Sequence, residues 1–156
     1  MVEDAAPRLL ADAMLGKLAR WLRILGYDTQ YLQGDDATIA HRARAEGRIL
    51  LTRDHELARR RGLQVVLIAS QSWPEQLREV VAAVGVPDEE RSRCMVCNGV
   101  LDPLPREAAK SQVPPYVAKT QSSFHRCAEC GRIYWQGTHW DGIRGRLEKI
   151  LDGRTD

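Results

Sequence analysis

The residues best suited to chemistry in this chain are three aspartates. Asp12 closes the apolar run Leu9-Leu10-Ala11, Asp54 follows Ile49-Leu50-Leu51-Thr52-Arg53, and Asp36 opens a helical segment between them. Acids that follow buried strands tend to converge, because ligands of open α/β sheets bind outside the carboxyl ends of the strands. Gathered carboxylates repel one another unless a divalent cation neutralises them, and Mg²⁺ or Mn²⁺ prefers all-oxygen ligands. A metal-dependent hydrolase is therefore the first expectation, with Glu56 as a possible fourth ligand. Taken singly, Asp36 and Asp54 also read as helix N-caps.

Four cysteines form the second group. Cys94-Met95-Val96-Cys97 and Cys127-Ala128-Glu129-Cys130 each put two thiolates on one tight turn, and two such turns complete a tetrahedral Cys₄ zinc site. Asn98-Gly99 and Gly131 follow as turn residues. A zinc closed on all four sides by sulfur is structural, and the long separation of the pairs implies an insertion between two hairpins. Disulfides are the alternative in an oxidising compartment. The four histidines are isolated, and no Ser-His-Asp pattern accompanies them.

The elements that must position these groups alternate strand and helix. Leu15, Leu18, Ala19, Leu22 and Leu25 recur at helical spacing after the first strand until Gly26. Asp28 to Leu32 predicts a second strand, and Asp36 caps a helix carrying Ile39, Ala40 and Ala43. A strand Ile49 to Leu51, a short helix His55 to Arg61, a strand Val65 to Ile68 and a helix Pro74 to Val84 complete the pattern. Such alternation predicts a parallel, doubly wound sheet. Near Gly85-Val86-Pro87 the composition shifts, which sets expected domains of 1–87 and 88–156.

A chain of 156 residues with 44% apolar content supports a packed core, and no apolar run approaches the ~18 residues of a membrane span. The amino terminus lacks the pattern of a secretory signal, so a cytoplasmic protein with reduced thiols is expected. Charge is uneven. Residues 1–90 carry 12 Lys/Arg and 14 Asp/Glu, whereas residues 91–150 carry 10 and 5. A basic second half next to an acidic first half suits a metal site beside a polyanion-binding surface. Lys17 and Arg20, opposite the apolar stripe of the first helix, and Arg53 beside Asp54 are placed to meet phosphate. Arg53 could equally form a salt bridge with Asp54. Arg126, Arg132, Trp135 and Trp140 could stack on unpaired bases or cover a thin core.

The run Leu10-Ala11-Asp12-Ala13-Met14-Leu15-Gly16-Lys17-Leu18-Ala19-Arg20-Trp21-Leu22-Arg23, with Gly26-Tyr27-Asp28 and Gly47-Arg48-Ile49-Leu50-Leu51-Thr52-Arg53-Asp54, resembles the PIN-like ribonuclease family named after the carboxy-terminal domain of mut-seven. Ser92 to Gly99, Val113 to Val117, Cys127 to Trp135 and Gly137-Thr138-His139-Trp140 are similar to its zinc-ribbon portion. The resemblance spans about Arg8 to Leu147. It implies a PIN fold with a zinc ribbon and a C-terminal helix, metal-dependent cleavage of RNA, and a metal-ligand role for Asp12, Asp36 and Asp54. PIN nucleases usually carry a further acid between the first two positions, where this chain offers only Asp28 and Asp35. Other readings are an RNA-binding adaptor with a degenerate site, a toxin-like nuclease silenced by a partner, and a phosphohydrolase of small substrates. The basic second half favours polynucleotide over small molecules.

Overall fold

The computed structural model describes residues 7–86, 92–135 and 138–152, with side chains described for 7–86, 92–135 and 145–152. The chain forms two compact units, Met1–Asn98 and Gly99–Asp156. The expected boundary at 87/88 falls on residues outside the described ones.

The first unit is built on a four-stranded parallel sheet in the order β2-β1-β3-β4. Its strands are β1 (Arg8–Ala11), β2 (Asp28–Tyr31), β3 (Ile49–Thr52) and β4 (Val65–Leu67). Leu9, Leu10, Ala11, Leu50 and Leu51 are fully buried. Continuous apolar runs of this kind mark strands covered on both faces. On one face, Leu10 and Leu50 pack with Ile39, Ala40 and Ala43 of helix α2 (Asp36–Glu46) and Leu57 of α3 (His55–Ala58). Elsewhere α1 (Gly16–Leu25) buries Leu18, Ala19 and Leu22 and packs against α4 (Trp73–Val84). Each fully buried leucine contributes about 1.5–3 kcal/mol of transfer free energy.

Local chemistry adjusts several expected boundaries. A 3₁₀ turn, Ala13–Leu15, precedes α1, and the Asp12 carboxylate caps it by accepting from Met14 N at 3.2 Å. The cap of α2 is Asp35, not Asp36. Its carboxylate accepts from Thr38 N at 2.8 Å, because an N-cap oxygen reaches the amide of the third helical residue. Asp36 thereby becomes the first helical residue. Helix α3 stops at Ala58, short of the expected Arg61, as the chain turns to Gly62 (φ 77°) and the Arg61 carbonyl accepts from Arg44 Nε at 2.9 Å.

The second unit holds an antiparallel sheet in the order β5-β6-β7: β5 (Leu101–Leu104), β6 (Phe124–Cys127) and β7 (Ile133–Trp135). The expected insertion between the cysteine pairs contains β5 and two short helices, α5 (Arg106–Ala109) and α6 (Pro115–Thr120). Pro103 lies on the edge strand β5, where its missing donor is tolerated. Ala109, Val117 and Phe124 form a small core, against which Leu104, Val113, Ile133 and Trp135 pack. Trp135 therefore covers a thin core. Helix α7 spans Thr138–Leu151. No helix among the described residues is long and apolar enough to cross a membrane.

Candidate active site and cysteine cluster

After β1 the chain crosses to β2 on one side, and it then returns past β1 to β3 on the other. The order of winding reverses between β1 and β3, and a crevice opens at the carboxyl ends of strands at such a point. Asp12 directly follows β1, and Thr52 ends β3. Thr52 is fully buried and Asp12 is 4% exposed. The Thr52 hydroxyl donates to Asp12 Oδ2 at 2.5 Å and accepts from Asp54 N at 2.9 Å. A hydroxyl has one proton and two lone pairs, so it can serve both neighbours at once. One side chain thus fixes the Asp12 carboxylate and the start of the Asp54 turn.

Sequence reasoning passed over Thr52. The signal available was a β-branched hydroxyl ending an apolar strand two residues before an acid.

Asp54 caps α3, its Oδ1 accepting from Glu56 N (2.8 Å) and Leu57 N (3.2 Å). Capping occupies only one of its oxygens, so the cap and ligand readings are compatible. Asp36 begins the helix after β2, the other neighbour of β1. No hydrogen bond among the described residues joins Asp36 to Asp12 or Asp54. The parallel order nevertheless sets all three acids beyond the carboxyl ends of three adjacent strands.

The remaining acids are otherwise engaged. Asp28 begins β2, at the opposite end of the sheet from Asp12, and accepts from Arg48 Nη1 (2.8 Å) and Asn98 Nδ2 (2.7 Å). Burial works against its charge, yet those donors and the positive charges of Arg48 and Arg93 hold its carboxyl below the ordinary value. Asp35 is the cap of α2, and Glu56 is exposed beside Arg59 at 3.8 Å.

Lys17 and Arg20 are exposed on α1. Arg53 makes no salt bridge with Asp54, and its buried Nε has no hydrogen-bond partner. Near it, Glu79 accepts from Ala69 N and Ser70 N at 2.9 Å each. Burial opposes the Glu79 charge, but these amides and Arg53 hold its carboxyl below the usual range. Arg132 is exposed at the foot of β7. The side chain of Trp140 lies outside the described residues.

The sulfur atoms of Cys94, Cys97, Cys127 and Cys130 all lie within 4.8 Å of one another. Zn–S bonds of about 2.3 Å place tetrahedral sulfurs ~3.8 Å apart, so the cluster suits a metal such as zinc. The two turns share a geometry. Asn98 N donates to Cys94 O (2.8 Å) with Asn98 at φ 71°, and Gly131 N donates to Cys127 O (3.0 Å) with Gly131 at φ 80°. Glu129 N and Cys130 N both point at Cys127 Sγ at 3.4 Å, as donors to a thiolate do. Gly99 admits that sulfur closely, since a Cβ there would stand 2.5 Å from Cys127 Sγ.

The first turn is fastened to the exposed edge of β2. Thr29 N donates to Asn98 Oδ1 (2.9 Å), and Thr29 O accepts from Arg23 Nε (2.8 Å). Arg23, 7% exposed, also donates to Met95 O at 2.9 Å. Ser92 Oγ donates to Ile24 O, and Arg93 Nε to Asn98 O. Asn98→Gly keeps the left-handed backbone but removes both side-chain bonds. It is expected to lower stability by about 1–3 kcal/mol, read in urea melts, because Thr29 N and Asp28 lose buried partners.

No curated protein and no solved structure matches the chain. The family model described as the Mut7-C RNAse domain matches residues 7–147, nearly its whole length. With its α/β sheet, its acids at the carboxyl edge and its clustered cysteines, the chain belongs to the Mut7-C RNAse domain family.

Proposed function

We propose that the protein is a Mg²⁺- or Mn²⁺-dependent ribonuclease, with a PIN-like nuclease portion over 1–87 and a structural zinc ribbon over 88–156 that assists RNA binding. The observation carrying this reading is the hydroxyl of Thr52 bound to Asp12 and to the Asp54 amide at the switch point of the sheet. Asp12, Asp36 and Asp54 would hold the ion, an all-oxygen set suited to Mg²⁺ or Mn²⁺. Asp12 itself supports that fit, being buried with, among the described residues, the Thr52 hydroxyl and the Met14 amide as the donors to its carboxylate. When bound, the ion supplies charge neutralisation at phosphorus and eases ionisation of the attacking water. Thr52 holds the Asp12 carboxylate in one orientation. Lys17, Arg20 and Arg53 receive the phosphate backbone. Arg132 and Trp140 add contacts from the basic second half, and one zinc is carried per chain by Cys94, Cys97, Cys127 and Cys130.

A second reading, an RNA-binding adaptor, is favoured by one observation. Both acids available as a further ligand, Asp28 and Asp35, are held elsewhere. Cleavage of a labelled RNA by the full chain in Mn²⁺ separates the two. Wild type is expected to cleave and Asp54→Asn to lose at least about a hundredfold, worth ~3 kcal/mol of barrier. Equal cleavage by both would sink the nuclease assignment, and binding without cleavage in every metal would favour the adaptor.

A further inference from the structure

Tyr31 ends β2, opposite Ala11 in register, and so stands one strand away from Asp12 at the same edge of the sheet. Its ring lies against Gly16, where a Cβ would come within 3.3 Å of Cζ and 3.4 Å of Oη. The backbone does not demand glycine at that position, for φ −61° and ψ −41° are ordinary helical values. Glycine in a helix costs up to about 1 kcal/mol relative to alanine. The close ring explains it. Two exposed hydrogen bonds hold the phenol in place: Oη donates to Ala13 O at 2.8 Å and accepts from Gln33 Nε2 at 3.1 Å. Tyr31 is partly exposed and belongs to no buried core cluster among the described residues. On the turn that Tyr31 grips stands Met14, 68% exposed, with its amide bound to the Asp12 carboxylate.

We infer that Tyr31, with Met14 at its margin, is a stacking shelf for an unpaired base of the RNA held at Asp12; this rests on the ribonuclease reading above. A tyrosine ring fixed before binding loses little freedom when a base stacks on it, and the thioether adds an adaptable apolar contact. Stacking is indifferent to base identity but needs a base free of its partner strand. The shelf therefore selects single-stranded RNA and reads structure in preference to sequence. Lys17 and Arg20, on the helix that Gly16 begins, supply charge for the flanking phosphates.

The test uses the full chain, a single-stranded oligoribonucleotide, the same strand with one abasic position at the cleavage site, and a duplex. Tyr31→Leu is expected to raise KM about tenfold on the intact strand while kcat stays within about threefold, in line with base–aromatic stacking. Tyr31→Phe is expected to keep KM near the wild-type value. On the abasic strand, wild type and Tyr31→Leu are expected to converge, and wild type to prefer the single strand over the duplex. Unchanged KM in Tyr31→Leu, or a tenfold defect that persists on the abasic strand, would overturn the shelf. Should Tyr31→Leu fail to fold, 2-aminopurine in the strand gives a second readout. Its fluorescence is expected to be quenched by the Asp54→Asn protein and less so by Asp54→Asn with Tyr31→Val, which keeps a strand-forming residue but no ring. An unquenched probe would count against the shelf. Loss of the nuclease reading shows separately, as absent cleavage in wild type, while probe quenching still reports on Tyr31.

Discussion

Asp12→Asn is expected to lower kcat on RNA by on the order of a thousandfold while leaving the melting temperature unchanged or slightly raised. Removing one carboxylate from an all-oxygen cation site costs several kcal/mol of transition-state stabilisation, which is the scale of that loss. Fold stability responds differently. Asp12 is 4% exposed, and among the described residues its carboxylate accepts from the Thr52 hydroxyl and the Met14 amide alone. Asparagine has the same size, can still accept from Met14 N, and can donate to the spare lone pair of Thr52 Oγ1. A buried charge without a cation is also removed, which favours the variant. Melting curves with and without Mn²⁺ complete the measurement. Wild type is expected to gain stability as the ion is added and the variant much less, since only binding to the folded state raises the transition. An equal rise in both proteins would take Asp12 out of the ligand set.

Cys97→Ser, or treatment with a strong chelator, carries the second large effect. Structural zinc in small modules contributes about 10–16 kcal/mol of apparent binding free energy at neutral pH, and that energy is coupled to folding. Among the described residues the second unit buries the cluster Ala109, Val117 and Phe124 and, on its last helix, Leu147 and Ile150, a small core that needs a staple. The melting temperature is expected to fall by at least about 10 °C, since 1 kcal/mol moves a chain of this size ~2–4 °C. The loss reaches the first unit as well, because the Cys94–Cys97 turn supplies Asn98 and the carbonyl of Met95 to the β2 edge. Hydrogen exchange at the Thr29 amide is therefore expected to speed up together with loss of one equivalent of zinc. A chelated protein with unchanged melting and unchanged Thr29 exchange would remove the structural role.

The parts of this fold legible in the sequence are those where one local rule acts alone. The period of Leu18, Ala19 and Leu22, stopped by Gly26 at φ 106°, gave α1, and the apolar runs of β1 and β3 announced strands buried on both faces. Strand-end acids followed from the same reasoning. Adjacent acids defeated it at Asp35-Asp36, where both residues suit a cap and only the three-dimensional reach to Thr38 N decides. Thr52 was hidden because a threonine ending a strand reads as β propensity, and its proton acceptor lies 40 positions away. The role of Asn98 was hidden for a similar reason. Its left-handed turn was visible beside Cys97, but its bonds to Thr29 and Asp28 join residues about seventy positions apart. Asp28, in its Gly-Tyr-Asp turn, could be read as a packing residue without a view of Arg48, its partner.

The fastening of the first cysteine turn has a consequence for dissecting the chain. β2 is an outer strand of its sheet, and the outward amide and carbonyl of Thr29 are both covered, by Asn98 and Arg23. A fragment cut near residue 87 would keep every acid of the candidate site but lose Ser92, Arg93 and Asn98. Its outer strand would then present the bare amide of Thr29, a foothold on which a second copy can add its own strand. Self-association of such a fragment would look like a property of the enzyme while being an artefact of the cut. The smallest faithful version of the first unit ends no earlier than Asn98.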